Sequence, residues 1–381
     1  MSSMMEFTAK KDDLLGILGH VQSVVERRVA IPVLANVKVS ASNSGEIEMI
    51  ATDMDICIQD KISGEVKEAG VTTIPAGTLY EIVRKIPENA DVHFKQDKST
   101  DAILITVNSS EFNLPTISAE EFPSFEDISN TMKFKISSEI LRLLLDKTRH
   151  AISNEETRYY LNGVYLHAHN AEDSSPLLRA VATDGHRLAR AQTVLPEGCE
   201  NMPGIIIPKK TVAEVIKLLD SYVGEVQVAL APNKIIFAIG SSVITSKLID
   251  GKFPDYERVI PKNNDKTLEI SRNNLSKSID LVISISSDKT RAVKFKIENK
   301  KVEISASSEI NGNAKGQQEI DAKFDGNEPI VIGFNSRYVL DSLSAIDSDN
   351  VMITFSSGLG AAIAADANDN NFIYILMPMQ V

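Results

Sequence analysis

The chain has 381 residues, with 52 acidic against 40 basic side chains and a net charge of −12. That length predicts two or three domains, and the acidity is unlike that of an ordinary nucleic-acid binder, whose surface is usually basic. Cys57 and Cys199 stand alone with no CxxC spacing, which excludes a disulfide framework and leaves no zinc motif. No apolar leader or membrane-length run occurs, so the expectation is a cytoplasmic protein with no membrane association.

In chain order, EFTAKKDDLLGIL predicts a short strand, with Phe7 and Ala9 on one face, feeding a helix that buries Leu14, Ile17 and Leu18. ERRVAIPVLANVKVSAS (26–42) and GEIEMIATDMDICIQDKIS (45–63) read as strands, and 74–86 as a second helix. ADVHFKQ (90–96), AILITVN (102–108) and EFNLPTI (111–117) read as further strands. The acidic stretch 118–131 reads as a linker.

KFKISSEILRLLLDKTRHAI (133–152) restarts the pattern. Phe134 and Ile136 alternate with Lys133 and Lys135, Ser137 is the expected N-cap, and Ile140, Leu141, Leu144, Leu145 and Ile152 form an apolar stripe. RYYLNGVYLHAH (158–169) reads as a strand. RAVATDGHRLARAQT (179–193) reads as a hairpin about Asp184-Gly185, and VQVALAPNKIIFAIG (226–240) as another about Pro232-Asn233. The stretch 243–266 is expected to leave the sheet as a second linker. TLEISRNNLSKSI then repeats strand and helix with Leu268, Ile270, Leu275 and Ile279, and with Ser271 at the cap. FIYILMPM (372–379) predicts a final strand tied into the fold.

The same unit is therefore written three times. Phe7 precedes Phe134 by 127 residues, and Phe134 precedes Leu268 by 134. IPAGTLYEIVRKI (74–86) matches IPKKTVAEVIKLL (207–219), with IGFNSRYVLDSL (332–343) as a looser third copy, and FPSF (122–125) matches FPDY (253–256). A long period repeated three times means three copies of one domain. The expected domains are 1–129, 130–260 and 261–381, each α+β with two helices packed on antiparallel sheets.

Thr183, Asp184 and His186 could carry nucleophilic chemistry, but neighbours on a tight hairpin diverge, so a turn is the better reading. His167 and His169 share a strand face without a third ligand at metal spacing. No phosphate loop, GxGxxG or HExxH is present, and no catalytic residue, cofactor or metal is expected.

Basic helix faces recur instead. Arg142, Asp146 and Arg149 stand at i, i+4, i+7; so do Lys210, Glu214 and Lys217, and Glu81 and Arg84 occupy the matching places in the first repeat. Repeats arranged about one axis would turn these faces toward a polyanion, contacting phosphate without reading sequence. A domain of this length is roughly 36 Å across. Three in a ring leave a hole about 6 Å wide and six leave roughly 36 Å, whereas groove dimensions imply a duplex about 20 Å across. Two copies of the chain could encircle duplex DNA; one could not.

ATDGHRLA (182–189), SKLIDGKFPDY (246–256), IGFNSRYVLDSL (332–343), YILMPM (374–379), RYYLNG (158–163) and IPVLANV (31–37) together resemble the bacterial DNA polymerase III beta subunit family, over the whole chain and in register with its threefold repeat. The resemblance implies a head-to-tail homodimeric ring of six clamp domains around duplex DNA. Helices would line the hole and sheets form the wall. Such a clamp is a processivity factor and not an enzyme. Its implied partners are the DNA polymerase III catalytic subunit, the clamp loader and other proteins bearing a clamp-binding peptide.

Residue by residue, the resemblance implies one peptide subsite at Leu161, Thr183, Gly185, His186, Arg187, Leu188, Pro254, Arg258 and Val259. It implies a second at Asn335, Tyr338, Leu359, Ile375, Leu376, Met377, Pro378 and Met379. It also implies DNA-facing Arg28, Tyr159 and Tyr160 beside the helix cations Arg84, Arg142, Arg149, Lys210 and Lys217, and a dimer contact at Phe112 and Ile285. Thr290, Gly360, Ala361 and the Gln380-Val381 end depart from the family pattern and bear on peptide preference. The alternative function is a three-domain scaffold with no DNA role, in which basic ridges on matching helix faces would have no purpose.

Overall fold

The three strand–helix copies fold as their periods dictate. In a computed structural model that describes residues 4–26, 30–97, 100–124, 131–170, 175–285, 291–308 and 314–380, the strands Glu6–Lys10, Met132–Ser137 and Lys266–Ser271 each run directly into a helix. The helices of the described residues are α1 Lys11–Val21, α2 Ala76–Lys85, α3 Ser138–Arg149, α4 Lys209–Leu219, α5 Arg272–Ile283 and α6 Ser336–Ser344. Each sequence repeat thus carries two. Phe7, Ala9, Leu14, Ile17 and Leu18 of the first copy are buried, as are Leu268, Ile270, Leu275 and Ile279 of the third.

In the first helices one detail differs from expectation, the place of Ile140. Ser271 caps α5 by accepting from the Asn274 N–H at 3.4 Å. Ser137 likewise stands directly before α3 while still in the ladder opposite Glu225, and Ser138 Oγ accepts from the Gly224 N–H at 3.1 Å. On α3 the buried row is Leu141, Leu144, Leu145 and Thr148, at i, i+3, i+4, i+7. Ile140 lies one helical step outside that row and is exposed.

Both predicted hairpins form, as the strand pairs Leu177–Thr183 with Arg187–Val194 and Glu225–Ala231 with Lys234–Ile239. Three segments depart from expectation. Within 26–42, residues 27–29 lie outside the described residues, Pro32–Ala35 is a 3-10 turn, and only Asn36–Ala41 is a strand. Within 158–169, Glu156–Leu161 is a 3-10 turn and the strand begins at Gly163. Gly163 is required there, because a Cβ would lie 2.2 Å from the Ile207 carbonyl oxygen. Residues 243–247, assigned to a linker, form the strand Ser242–Lys247, whose alternating Ile244 and Ser246 are buried between two neighbours.

The chain divides into two compact units that cut through the middle repeat. The first comprises residues 1–139, 196–199 and 213–248; the second comprises 140–195, 200–212 and 249–381. In the first unit a five-stranded sheet has the order Glu65–Glu68, Glu6–Lys10, Asp91–Asp97, Ala102–Val107, Ser110–Pro115. An eight-stranded sheet runs Met132–Ser137, Glu225–Ala231, Lys234–Ile239, Ser242–Lys247, Ile56–Ser63, Glu46–Thr52, Asn36–Ala41, Gly70–Pro75. Its centre joins two sequence repeats, with Ile58 opposite Ile244.

The second unit repeats this arrangement. Its nine-stranded sheet runs Ile205–Pro208, Gly163–His169, Leu177–Thr183, Arg187–Val194, Phe372–Leu376, Ala362–Asp366, Asn350–Phe355, Lys266–Ser271, Lys323–Phe324. A four-stranded sheet runs Ala314–Asp321, Lys301–Ser308, Ala292–Glu298, Ile330–Asn335. Among the described residues all pairings are antiparallel and no sheet closes on itself.

The junction in the first unit is held by a buried carboxylate. Asp60 accepts from Ser241 Oγ and Ser242 Oγ, each at 2.7 Å, and from the Lys61 N–H at 2.8 Å, while His20 Nδ1 of α1 lies 2.9 Å away. Burial pushes its pKa up, but these partners outweigh it and hold the carboxyl below the usual Asp range. A depressed carboxyl stabilises the fold above its unfolded pKa of about 3.9 and loses that contribution as pH falls through the lower folded value. Asp60→Ala is expected to cost about 3 kcal/mol in urea unfolding at pH 7. The deficit against wild type should shrink as pH falls below about 4. An equal deficit at pH 7 and pH 2 would show that the lost charge is not the cause.

Candidate functional site

The strand Arg187–Val194 pairs with Phe372–Leu376, placing Leu188 opposite Ile375 and Arg187 opposite Leu376. Successive side chains on a strand point to opposite faces. Leu188 and Ile375 therefore share one face, where they join Leu161, Val181, Ile206, Phe253 and Tyr256 in a buried apolar cluster, with Met377, Ala361 and Ile363 packed against it. Tyr165 lies flat on Phe253, ring centroids 4.7 Å apart. Of the residues assigned to a peptide subsite, Leu161, Leu188, Ile375 and Met377 meet in this cluster.

Arg187 goes to the other face. Its side chain is only 8% exposed and donates to Asp184 Oδ2 at 3.1 Å, to Asp341 Oδ2 of α6 at 2.6 Å and to the His150 carbonyl. Its guanidinium lies 4.3 Å from the centroid of the Tyr338 ring. Burial, with the Arg187 charge next in weight, pushes the neighbouring His150 down to about 4, so it is neutral near pH 7. Arg187 thus ties the 184–187 turn to α6 and fixes Tyr338 against it.

The turn itself is held by its own side chains. Asp184 Oδ1 accepts from the N–H groups of His186 and Arg187 at 2.9 and 3.0 Å, and Thr183 Oγ1 accepts from the Gly185 N–H while donating to the Arg187 carbonyl. Gly185 has φ +87°, and a Cβ there would lie 2.5 Å from Arg158 Nη1. Thr183, Asp184 and His186 therefore build a turn, not a catalytic array. The exposed His186 ring stands near-parallel to Tyr338 at 6.5 Å.

The end of the chain closes over this turn. Met377 N–H donates to the His186 carbonyl at 3.2 Å and Met379 N–H to Gly333 O at 2.9 Å. Asn335 caps α6 by accepting from the Arg337 N–H. Other assigned residues stand outside the cluster. Pro254, Arg258 and Val259 are exposed, Pro378 is half-buried, Met379 is 37% exposed, and Leu359 is 91% exposed. Thr290 and Val381 lie outside the described residues. The cluster's floor, Val181, Ile206, Phe253 and Tyr256, was missing from the sequence assignment, although the FPDY motif holds two of its members.

The helix cations are not bare. Arg84 pairs with Glu81 at 2.7 Å and Arg149 with Asp146 at 2.8 Å, while Lys217 donates to Gly19 O at 2.6 Å and lies 3.9 Å from Glu214. Arg142 is exposed and Lys210 half-buried; Tyr159 is 53% exposed and meets Tyr160 edge-on at 5.8 Å. Arg28 lies outside the described residues. Phe112 sits on the edge strand Ser110–Pro115. Ile285 packs near Gly316 of the edge strand Ala314–Asp321, with its Cδ1 3.4 Å from a Cβ built there. No group of three His, Cys, Asp or Glu residues able to hold a metal occurs among the described residues.

Comparison with known proteins agrees with this architecture. Residues 5–126, 135–255 and 257–380 match the family models for the N-terminal, central and C-terminal domains of the DNA polymerase III beta subunit. The chain belongs to the DNA polymerase III beta subunit family. It is 42% identical to the beta sliding clamp of Caulobacter vibrioides over 377 residues, covering 99% of this chain and all of the relative, and 35% identical to that of Rickettsia bellii over 388 residues. Its structure is similar to a Caulobacter crescentus beta sliding clamp (TM-score 0.95, 41% identity, 99% of each chain). It is likewise similar to a Bartonella birtlesii DnaN sliding clamp solved bound to griselimycin (TM-score 0.94, 40% identity, 99% of this chain and 100% of the other). The fold is that of a three-domain sliding clamp, and the function is that of a sliding clamp in DNA replication.

Because Arg187 is buried with two carboxylates, removing it leaves Asp184 and Asp341 short of their cation. Arg187→Met is expected to destabilise the protein by about 3 kcal/mol. Chemical denaturation followed by far-UV circular dichroism reads this directly; unaltered stability would mean that the turn stands without Arg187.

Proposed function

We propose that two copies of this chain close head-to-tail around duplex DNA and hold the replicative polymerase there by topology. The observation that carries this reading is the full-length match to sliding clamps, domain by domain and in order. Domain boundaries near 129/130 and 260/261 follow the sequence repeats. The role is not catalytic and belongs to the cytoplasm, where the DNA is; among the described residues no helix is long and apolar enough to cross a membrane.

Two open sheet edges support the dimer. An unpaired strand edge is a template for a further strand. Ser110–Pro115, bearing Phe112, ends one sheet, and Ala314–Asp321, beside Ile285, ends another. These are different surfaces, so their union is head-to-tail, and rotation by half a turn closes two copies. Arg28, the helix cations Arg84, Arg142, Arg149, Lys210 and Lys217, and Tyr159 and Tyr160 are assigned to the DNA-facing side. Their acid neighbours suit a loose, sequence-blind hold.

Loaded by the clamp loader onto nicked circular DNA, the protein should stay on the circle at moderate salt and run off after one cut linearises it. Equal loss from circle and line would reduce it to ordinary electrostatic binding. Phe112→Asp should give a single 41.7 kDa protomer by light scattering; a persistent dimer would remove Phe112 from the interface.

The apolar cluster and its rim are assigned to partner peptides, of the polymerase catalytic subunit and of other clamp-binding proteins. Apolar walls with a few orienting polar groups suit peptide capture, and Met377 and Met379 give an adaptable surface. Leu359 serves no packing purpose at 91% exposure. Leu359→Asp should therefore leave the unfolding midpoint unchanged while weakening a polymerase-derived peptide at least about tenfold by fluorescence anisotropy. Unchanged affinity would take Leu359 out of the rim.

A further inference from the structure

The cluster-bearing face of the nine-stranded sheet changes character along its strands. One row across it is mostly apolar, with Thr183, Leu188, Ile375 and Ile363 as successive cross-strand partners. The next row is Tyr165, Val181, Arg190 and Ile373. Beyond it His167 faces Arg179, and Arg179 faces Gln192. Successive rows on one face are about 7 Å apart, so two guanidinium groups stand within side-chain reach of the apolar cluster. Tyr256 joins the two regions. Its ring belongs to the cluster, while its hydroxyl accepts from Arg179 Nη1 at 3.3 Å and lies 3.0 Å from His167 Nε2.

Charge does not balance in these rows. Arg179 is buried and satisfied: it pairs with Glu257 and donates from Nε to Gln192 Oε1 at 3.0 Å. Arg190 has no carboxylate partner among the described residues, and its buried Nε has no hydrogen-bond acceptor. Burial, reinforced by the Arg179 charge, lowers its pKa. Burial likewise lowers those of His167 and His169, which leaves them neutral near pH 7. A buried guanidinium N–H without an acceptor is costly, and an anion supplied from outside would relieve it. The planar fork of a guanidinium matches the two oxygens of a carboxylate.

We propose that Arg190, backed by Arg179, forms an anion subsite that receives an Asp or Glu side chain of the same peptide whose apolar residues pack against the Leu188–Ile375 cluster. This rests on the peptide-pocket reading above. Continuity along one strand, from Leu188 to Arg190, favours a peptide carboxylate over a free anion.

The test uses the full-length protein and a fluorescent polymerase-derived peptide in twin forms, carrying Glu or Gln beside its apolar core at each flank in turn. At one flank the Glu form should bind wild type about five- to tenfold more tightly than the Gln form. Arg190→Gln should erase that advantage while leaving the Gln form's affinity unchanged. Equal binding of the twins to wild type, at both flanks, would overturn the subsite while leaving the pocket in place. An advantage that survives in Arg190→Gln would also overturn it. If neither twin binds, the pocket reading falls and the subsite with it. Finally, inorganic phosphate is added at millimolar concentration. If it raises the melting temperature of wild type but not of Arg190→Gln and cancels the Glu advantage, the site belongs to free anions and the peptide assignment fails.

Discussion

The second unit depends on one register, the pairing of Arg187–Val194 with Phe372–Leu376. It joins strands that lie almost two hundred residues apart in sequence and belong to different repeats. A slip of one residue would exchange every side chain between faces. Arg187 would then enter the apolar cluster, and Leu188 would meet Asp184 and Asp341. The penalty for each error is large: an unpaired buried cation on one side, and carboxylates without their partner on the other. Hydrophobic alternation and the Arg187 ion pairs therefore specify the same register independently, which is how a strand pairing with no short turn to set it can still be unique.

The same logic recurs in the first unit with different chemistry. There the strands Ile56–Ser63 and Ser242–Lys247 pair across repeats, and Asp60 collects Ser241, Ser242 and His20 at the junction. One junction is organised around a buried cation and the other around a buried anion. Both are satisfied by several hydrogen bonds, the condition under which a buried charge is tolerated.

Electrostatics elsewhere in the molecule are short-ranged. Arg84, Arg149 and Lys217 each have an acid three residues earlier on the same helix, so their fields are partly cancelled at source. This reconciles a net charge of −12 with recurring basic ridges. Such surfaces attract a polyanion weakly and without preference for position. Arg190 is the contrast: a half-buried cation with its Nε left unanswered.

The sequence by itself determined the threefold repeat, two helices in each copy and most strands, because these rest on local periodicity that any homologous fold must satisfy. It also identified the 184–187 turn, where Asp-Gly chemistry is local. Other features were decided only by tertiary structure. Residues 158–161 read as strand by composition but end the 3-10 turn Glu156–Leu161, and the strand starts only at Gly163, which packs against the Ile207 carbonyl. Ser242–Lys247 reads as the start of a linker but is a central strand, because its partner Ile56–Ser63 comes from another repeat. The apolar cluster likewise gathers Leu161, Val181, Ile206, Phe253 and Ile375 from five separate segments. No window of sequence contains them together; only the long-range register of the strands brings them to one face.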